Sequence, residues 1–249
     1  ATDRTKMIIL CNPSNPLGTV CTREELADIA EVCVRRGIYM MSDEVYETIC
    51  FADEFVSMAE VSPEAKDLTI IVNGLSKSAP MTGWRIGYTA SNREIAKGMT
   101  ALQGHITSHP STISQWAGVA AMAECRDYTE MMNKAFRERM EAAVDFLEKE
   151  VPEVSFIKPM GAFYLFVDIS SVKDALLATA DADGRMPQSG TDSYAMEFTM
   201  KLLNEKHVAI APGTAFGKEG YIRIAYATDK ETLLEGLARI RDLVKELLA

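Results

Sequence analysis

The sequence predicts an α/β chain, a mostly parallel sheet with interleaved helices followed by a smaller α+β portion. Three observations carry that expectation. Residues 6–11 and 38–41 are short apolar runs separated by an amphipathic helical pattern, the signature of a βαβ unit. A third apolar run, residues 68–72, continues the series. Beyond Pro152 the pattern changes to short strands at residues 154–157 and 163–167, with helical patterns further on.

Composition sets bounds on function. The chain has 249 residues, 47% of them hydrophobic and 25% charged, as in an ordinary globular protein with a proper core. Its 36 acidic and 26 basic residues give a net charge of -10, which argues against a nucleic-acid surface. No apolar run reaches membrane-spanning length and the first residues contain no signal-like apolar stretch, so the cytoplasm is the expected compartment. Cys11, Cys21, Cys33, Cys50 and Cys125 form an odd set without C-x-x-C spacing and are expected as reduced thiols. His105 and His109 stand four apart, but no acidic residue lies between them and Pro110 follows, so no metal site is expected.

Taken in order, residues 6–11 read as a strand buried on both faces of a parallel sheet. Asn12-Pro-Ser-Asn-Pro-Leu-Gly18 must then be a turn-rich loop at its end. Thr22 and Glu25 form a capping box for a helix that presents Leu26, Ile29, Ala30 and Cys33 on one side and stops at Gly37. The next strand ends at Ser42-Asp-Glu-Val-Tyr46, and right-handed βαβ connection places Asp43 at the same sheet edge as Asn15. The polar stretch between Phe51 and Lys66 predicts only a loop. The strand at residues 68–72 delivers Lys77 to its carboxyl end, where open α/β sheets place ligands.

A lysine so placed can condense with a carbonyl compound, and Arg85, set between Gly83 and Gly87, can fork onto a phosphate while the glycines admit a ligand closely. Pyridoxal phosphate carries both groups. By residue chemistry alone, Lys77 and Arg85 fit solvated surface positions better, as most Lys and Arg residues are solvated surface groups. Residues 85–90 read as a further strand. Asn92 caps a helix with Ile95, Met99 and Leu102, and residues 107–114 lead into another through Trp116 and Val119. Residues 126–150 form a long amphipathic helix with Met132, Phe136, Met140, Ala143 and Leu147 on one stripe.

Residues 181–190 are rich in turn formers, lack the acidic ladder of a calcium loop and are expected to be flexible. Residues 194–207 read as a helix. Arg223 lies in an alternating strand on the face opposite Ile222 and Ile224, which fits a surface position as well as a ligand contact. Thr228-Asp-Lys-Glu231 caps a closing helix with Leu234, Leu237, Ile240, Val244 and Leu247 on one side.

Several stretches resemble, in order, the motifs of the class I/II aminotransferases, the fold-type I enzymes that use pyridoxal 5'-phosphate. They are Asn12-Pro-Ser-Asn-Pro, Asp43-Glu-Val-Tyr46, Ser76-Lys77 with Gly83-Trp-Arg-Ile-Gly87, Pro159-Met-Gly-Ala-Phe-Tyr164, Val208-Ala-Ile-Ala-Pro-Gly-Thr-Ala-Phe216 and Arg223-Ile-Ala-Tyr-Ala227. Thr107-Ser-His-Pro110 with Gln115 and Ala117 resembles a further family segment, one that tends to lie near a partner subunit's site. Met81-Thr-Gly-Trp-Arg-Ile-Gly-Tyr88 is most similar to bacterial-type aspartate aminotransferases.

The resemblance implies part of the PLP-binding large-domain sheet in residues 1–130, an α+β small domain in residues 131–249 and a linking helix over 126–150. It implies Lys77 as the Schiff-base lysine. Asn15 and Tyr46 would contact the ring oxygen, Asp43 the ring nitrogen, and Ser76 and Arg85 the phosphate. Arg223 would clamp the substrate carboxylate together with Asn15. Leu17 stands where the family has threonine, and Gly74 where it often has a phosphate-binding serine.

The implied activity is transamination between an amino acid and a 2-oxo acid, of the aspartate and 2-oxoglutarate type, in a homodimer. Family members carry a large segment ahead of the Asn-Pro loop, so the fold is expected to be an incomplete fold-type I PLP transferase with uncovered apolar edges and little turnover of its own. A C-S lyase using the same residues, and a non-catalytic remnant with a vestigial cofactor site, are the alternatives.

Overall fold

The computed structural model describes residues 1–249. Packing divides them into two units, residues 1–15, 19–134 and 160–162 in the first and residues 16–18, 135–159 and 163–249 in the second.

The first unit opens with β1 (Met7–Cys11), α1 (Arg23–Arg36) and β2 (Tyr39–Asp43). Thr22 Oγ1 accepts from the Glu25 N–H while Glu25 returns a bond to the Thr22 N–H, closing the expected capping box. Gly37 ends α1 in the left-handed region at φ 64°, its N–H directed at the carbonyls of Cys33 and Val34. Leu26, Ala30 and Cys33 are buried with Ile38 and Met40, and Ile8 and Leu10 of β1 pack beside them. Full burial of each large side chain here contributes about 1.5–3 kcal/mol.

Only one face of β1 is covered. Ile9 is 74% exposed and Met7 is exposed as well, so the strand is not buried on both faces as its composition had predicted. The helix that would hide the second face is not among the elements packed on β1; an all-apolar run reports hydrophobicity but not which neighbours arrive.

The stretch read as a loop holds a single turn at Met58–Glu60 and α2 (Pro63–Leu68), whose Ser62 Oγ accepts from the Ala65 N–H. β3 (Thr69–Gly74) follows α2 directly and runs parallel to β2, which is itself parallel to β1. After α3 (Leu75–Ser78), β4 (Gly87–Ala90) pairs antiparallel with β3, giving the order β1-β2-β3-β4. α4 (Arg93–Ile106) starts at Asn92, whose Oδ1 accepts from the Ile95 N–H. α5 (Thr112–Glu124) and α6 (Arg126–Glu150) complete this part of the chain. The two units divide within α6, between Lys134 and Ala135.

The second unit contains β5 (Ser155–Phe156), β6 (Tyr164–Asp168), α7 (Lys173–Leu177), α8 (Tyr194–Lys206), β7 (Ala211–Pro212), β8 (Tyr221–Ala225) and α9 (Lys230–Leu248). Its sheet is antiparallel in the order β5-β6-β8-β7. Leu165, Val167, Ile222 and Ile224 alternate onto its buried face. Phe136, Met140, Ala143 and Leu147 of α6 are also buried in this unit's core.

Two local readings are corrected here. The cap of α9 is Asp229, whose Oδ1 accepts from the Thr232 N–H at 2.8 Å, and the buried stripe includes Leu233 and Leu243 rather than Leu234 and Leu247. The loop at residues 181–190 is pinned rather than loose: Met186 is buried, and the Glu197 carboxylate of α8 accepts from the N–H groups of Gln188 and Ser189. No helix of the structure is long and apolar enough to cross a membrane.

Candidate active site

Register brings the expected site residues of the first unit to one sheet edge. Cys11 of β1 pairs with Asp43 of β2, and Asp43 pairs with Val72 of β3, so three parallel strands end side by side. The ends are tied across: the Asn12 N–H donates to the Asp43 carbonyl at 3.0 Å, and the Glu44 N–H donates to the Val72 carbonyl at 2.9 Å. Asn15, Asp43 and Lys77 therefore leave neighbouring strand ends, the edge at which α/β sheets present ligand-binding groups.

Each side chain is held by its local chain. Asn12 is buried and its Oδ1 accepts from the Cys21 N–H, while the Ser14 N–H donates to the Thr19 carbonyl, folding the Asn15 loop back on itself. Asp43 is half-buried, with Oδ1 accepting from the Val45 N–H at 3.3 Å. Tyr46 is buried in the turn that follows. Ser76 and Lys77 are half-buried in α3, one helical turn that begins as β3 ends. The Thr129 hydroxyl of α6 braces that turn by donating to the Ser78 carbonyl at 3.0 Å.

Arg85 stands apart in character. It is exposed and sits in the left-handed region at φ 53°, with Nη1 donating to the Thr82 carbonyl at 2.8 Å. The Ser114 hydroxyl holds the same turn by donating to the Trp84 carbonyl. Of the flanking glycines, Gly87 differs from its expected use. A Cβ on Gly87 would stand 2.9 Å from the Asn73 carbonyl oxygen, so Gly87 admits the backbone of β3 rather than a ligand, and Gly83 has nothing within 4 Å of that position.

Two acidic neighbours of Asp43, Glu44 and Glu47, carry no role in the sequence reading. Glu44 is only 2% exposed, and its Oε1 accepts from Ser42 Oγ, Ser57 Oγ and the Met58 N–H. Burial pushes its carboxyl above the usual range, against the pull of those donors. Burial also raises the carboxyl of Glu47, which is hydrogen-bonded by Asn73 and faces the charges of Glu44 and Glu60. Cys11 borders the same edge; burial pushes its thiol up, opposed by a backbone bond from Asn15 and reinforced by the charge of Asp43. A thiol so placed stays protonated and is not a nucleophile at neutral pH.

Arg223 belongs to the second unit. It pairs with Phe166 across β6 and β8, on the face opposite Ile222 and Ile224. Its guanidinium lies 4.4 Å from the Tyr164 ring centroid and 4.7 Å from that of Phe216. Phe166 meets Phe216 edge-on and stacks with Tyr221, over which Lys218 is placed. Phe156, Phe166, Phe216, Lys218 and Tyr221 border a cleft of about 440 Å³ on this unit.

The first unit thus offers an amine, a carboxylate, an amide, a phenol and a guanidinium around one sheet edge. That donor set fits a ligand bearing an aldehyde, a basic ring nitrogen, a phenolic oxygen and a phosphate. The family model "Aminotransferase class I and II" matches residues 1–240. The chain belongs to that family. Its members use pyridoxal 5'-phosphate, the ligand that the donor set fits.

Among its relatives in this aminotransferase family, the aspartate aminotransferase of Bacillus sp. (strain YM-2) is 42% identical over 246 residues, covering 98% of this chain and 59% of the relative. A probable aspartate/prephenate aminotransferase of Aquifex aeolicus (strain VF5) is 41% identical, over 99% of this chain and 59% of the relative. The crystal structure of an aromatic aminotransferase from Pyrococcus horikoshii OT3 superposes with a TM-score of 0.85 at 34% identity, covering 99% of this chain and 61% of that one. The fold is accordingly that of the fold-type I aminotransferases, and the chain spans about three-fifths of the length of these relatives.

Proposed function

We propose that this chain serves pyridoxal-phosphate-dependent transamination between an amino acid and a 2-oxo acid, with aspartate and 2-oxoglutarate as the pair. The reading rests on the side-by-side ends of β1, β2 and β3, which bring Asn15, Asp43 and Lys77 to one edge. When bound, the cofactor supplies an electron sink for the pair released at the substrate Cα.

The residues act around that sink. The Lys77 amine would hold the cofactor's aldehyde carbon and, as a free amine, would take the proton from the substrate Cα. Asp43 holds a proton on the ring nitrogen, which keeps the ring cationic. Tyr46 and Asn15 donate to the ring oxygen, and Arg85 with Ser76 takes the phosphate. Arg223 forks onto the substrate α-carboxylate and fixes which Cα bond faces the ring.

In this reading residues 1–130 form the cofactor-holding domain and residues 131–249 the small domain that contributes Arg223. The protein works as a homodimer, a reading supported by the exposed apolar surface of α4 and α5. It works in the cytoplasm, a reading supported by five cysteines of which none is in a disulfide. The aromatic row beside Arg223 favours a second substrate reading, an aromatic amino acid, separated from the first by comparing kcat/KM for aspartate and phenylalanine.

Borohydride reduction in the presence of pyridoxal phosphate, followed by peptide mapping, tests the central assignment. A pyridoxyl group on Lys77 is expected. The same group on a different lysine, with Lys77 unmodified, removes the assignment.

A further inference from the structure

We infer that Glu44 is a positioning residue for Asp43, fixing the end of β2 from the side of the sheet opposite the cofactor. The inference rests on the reading of Asp43 as the ring-nitrogen partner and extends it to a residue that makes no contact with the cofactor.

Asp43 is flanked by two residues whose side chains bond each other: Ser42 Oγ donates to Glu44 Oε1 at 2.8 Å. The same oxygen accepts from Ser57 Oγ at 2.8 Å and from the Met58 N–H at 3.2 Å, so it anchors residues 42–44 to the start of the Met58–Glu60 turn. That turn is firm, because Met58 is buried in the core beneath α1 and Ser57 with Glu60 closes a capping box over it. Ser42 and Met40 are buried while Asp43 and Met41 are only half-buried, as strand alternation requires of residues facing opposite sides.

The backbone completes the clamp. The Asp43 carbonyl accepts from Asn12, and the Glu44 N–H donates to Val72, so both polar groups of the peptide unit that follows the Asp43 Cα are bonded to neighbouring strand ends. The Asp43 carboxylate then needs only the bond from the Val45 N–H to settle its direction. Truncating Glu44 would leave two buried donors, Ser42 Oγ and the Met58 N–H, and the half-buried Ser57 Oγ without this acceptor. The carbonyl oxygen of glutamine can accept the same three bonds; alanine cannot.

The test uses the 249-residue chain as wild type, Glu44→Ala, Glu44→Gln, Ser57→Ala and Asp43→Asn. In cofactor-free protein, amide hydrogen exchange at Val45 and Asn12 is compared with exchange at Ala30 inside α1, which reports global opening. Glu44→Ala should speed Val45 and Asn12 by about tenfold more than Ala30, and Glu44→Gln should restore them. With pyridoxal phosphate added, the pH titration of the bound cofactor's absorbance should shift in Asp43→Asn. It should shift in the same direction in Glu44→Ala and stay in place in Glu44→Gln.

If Glu44→Ala does not fold, Ser57→Ala takes its place in both arms. Exchange at Val45 and Asn12 that rises no more than at Ala30 overturns the inference without any cofactor being involved. A titration moved by Asp43→Asn but not by Glu44→Ala also overturns it and leaves the role of Asp43 standing. No titrating band, or one that Asp43→Asn leaves unmoved, removes the reading of Asp43 and the inference with it.

Discussion

Gly87 and Asn73 meet so closely across β3 and β4 that a Cβ on Gly87 would lie 2.9 Å from the Asn73 carbonyl oxygen. That oxygen is backbone in a paired strand and cannot swing aside, so Gly87→Ala must displace β4 and the Arg85 turn that precedes it. A cost of about 1–3 kcal/mol is expected. Gly83→Ala has open space around the new methyl and should stay within about 0.5 kcal/mol of wild type. Urea unfolding of the two variants checks the contrast; equal costs would show that β4 yields freely.

Gly87 shows where sequence reading stopped. Gly87 looked like a ligand-approach position, because spacing identifies a glycine but not the atom that comes close to it. Local signals fared better. Thr22 and Glu25 were read correctly as a capping box, since the four residues involved contain all the donors and acceptors. The cap of α9 slipped by one residue to Asp229, because Thr228 and Asp229 are both competent caps and the choice depends on where the preceding strand releases the chain. The exposure of Ile9 was out of reach, because a strand's second face depends on elements distant in sequence. Asn15 and Asp43 come to one edge by βαβ handedness and Lys77 by its place at the carboxyl end of its strand, whereas Glu44 was missed because its partners, Ser57 and Met58, lie in a stretch with no periodic signal.

Asp43 and Arg223 should separate kinetically in a preparation with measurable turnover. Asp43→Ala is expected to lower the rate of Cα–H exchange by about a hundredfold or more, because the ring would no longer be held cationic. Arg223→Ala should chiefly raise KM, for monocarboxylic and dicarboxylic amino acids alike, since both carry the α-carboxylate. Arg223→Lys should recover little, because a lysine loses both the fork and the stacking between Tyr164 and Phe216. An unchanged KM in Arg223→Ala would move the carboxylate clamp elsewhere.

The raised carboxyls of Glu44 and Glu47 have a consequence for stability against pH. Burial lifts both above the ordinary carboxyl value of 4.5, so the folded chain takes up these protons at a higher pH than the unfolded chain does. Their contribution to stability therefore grows as pH falls through the raised folded value. It levels off below 4.5, where the unfolded carboxyls are protonated too. Glu44→Gln removes one of these titrations. Denaturant unfolding at several pH values from about 8 to about 5 should show wild type gaining on Glu44→Gln as the pH drops. Parallel curves would mean that the Glu44 carboxyl titrates alike in both states.

The surface of α5 gives the last expectation. Ile113 is 75% exposed and Trp116 is 71% exposed, with Val119 and Met122 also exposed further along the same helix and Leu102 and Ile106 exposed on α4. An apolar patch of this kind is costly in water, and a second copy of the chain can cover it. The net charge of -10 opposes close approach only weakly at physiological salt, where charges beyond about 8 Å are screened. Concentration-dependent association is therefore expected in sedimentation velocity. The double substitution Ile113→Ser and Trp116→Ser should weaken it by about tenfold or more, since each side chain withholds about 1.5–3 kcal/mol of burial. Because both side chains face solvent, the variant's unfolding midpoint should barely move. A single monomeric boundary for the wild-type chain from about 1 to 100 μM would show that this surface does not self-associate in the range where specific interfaces form.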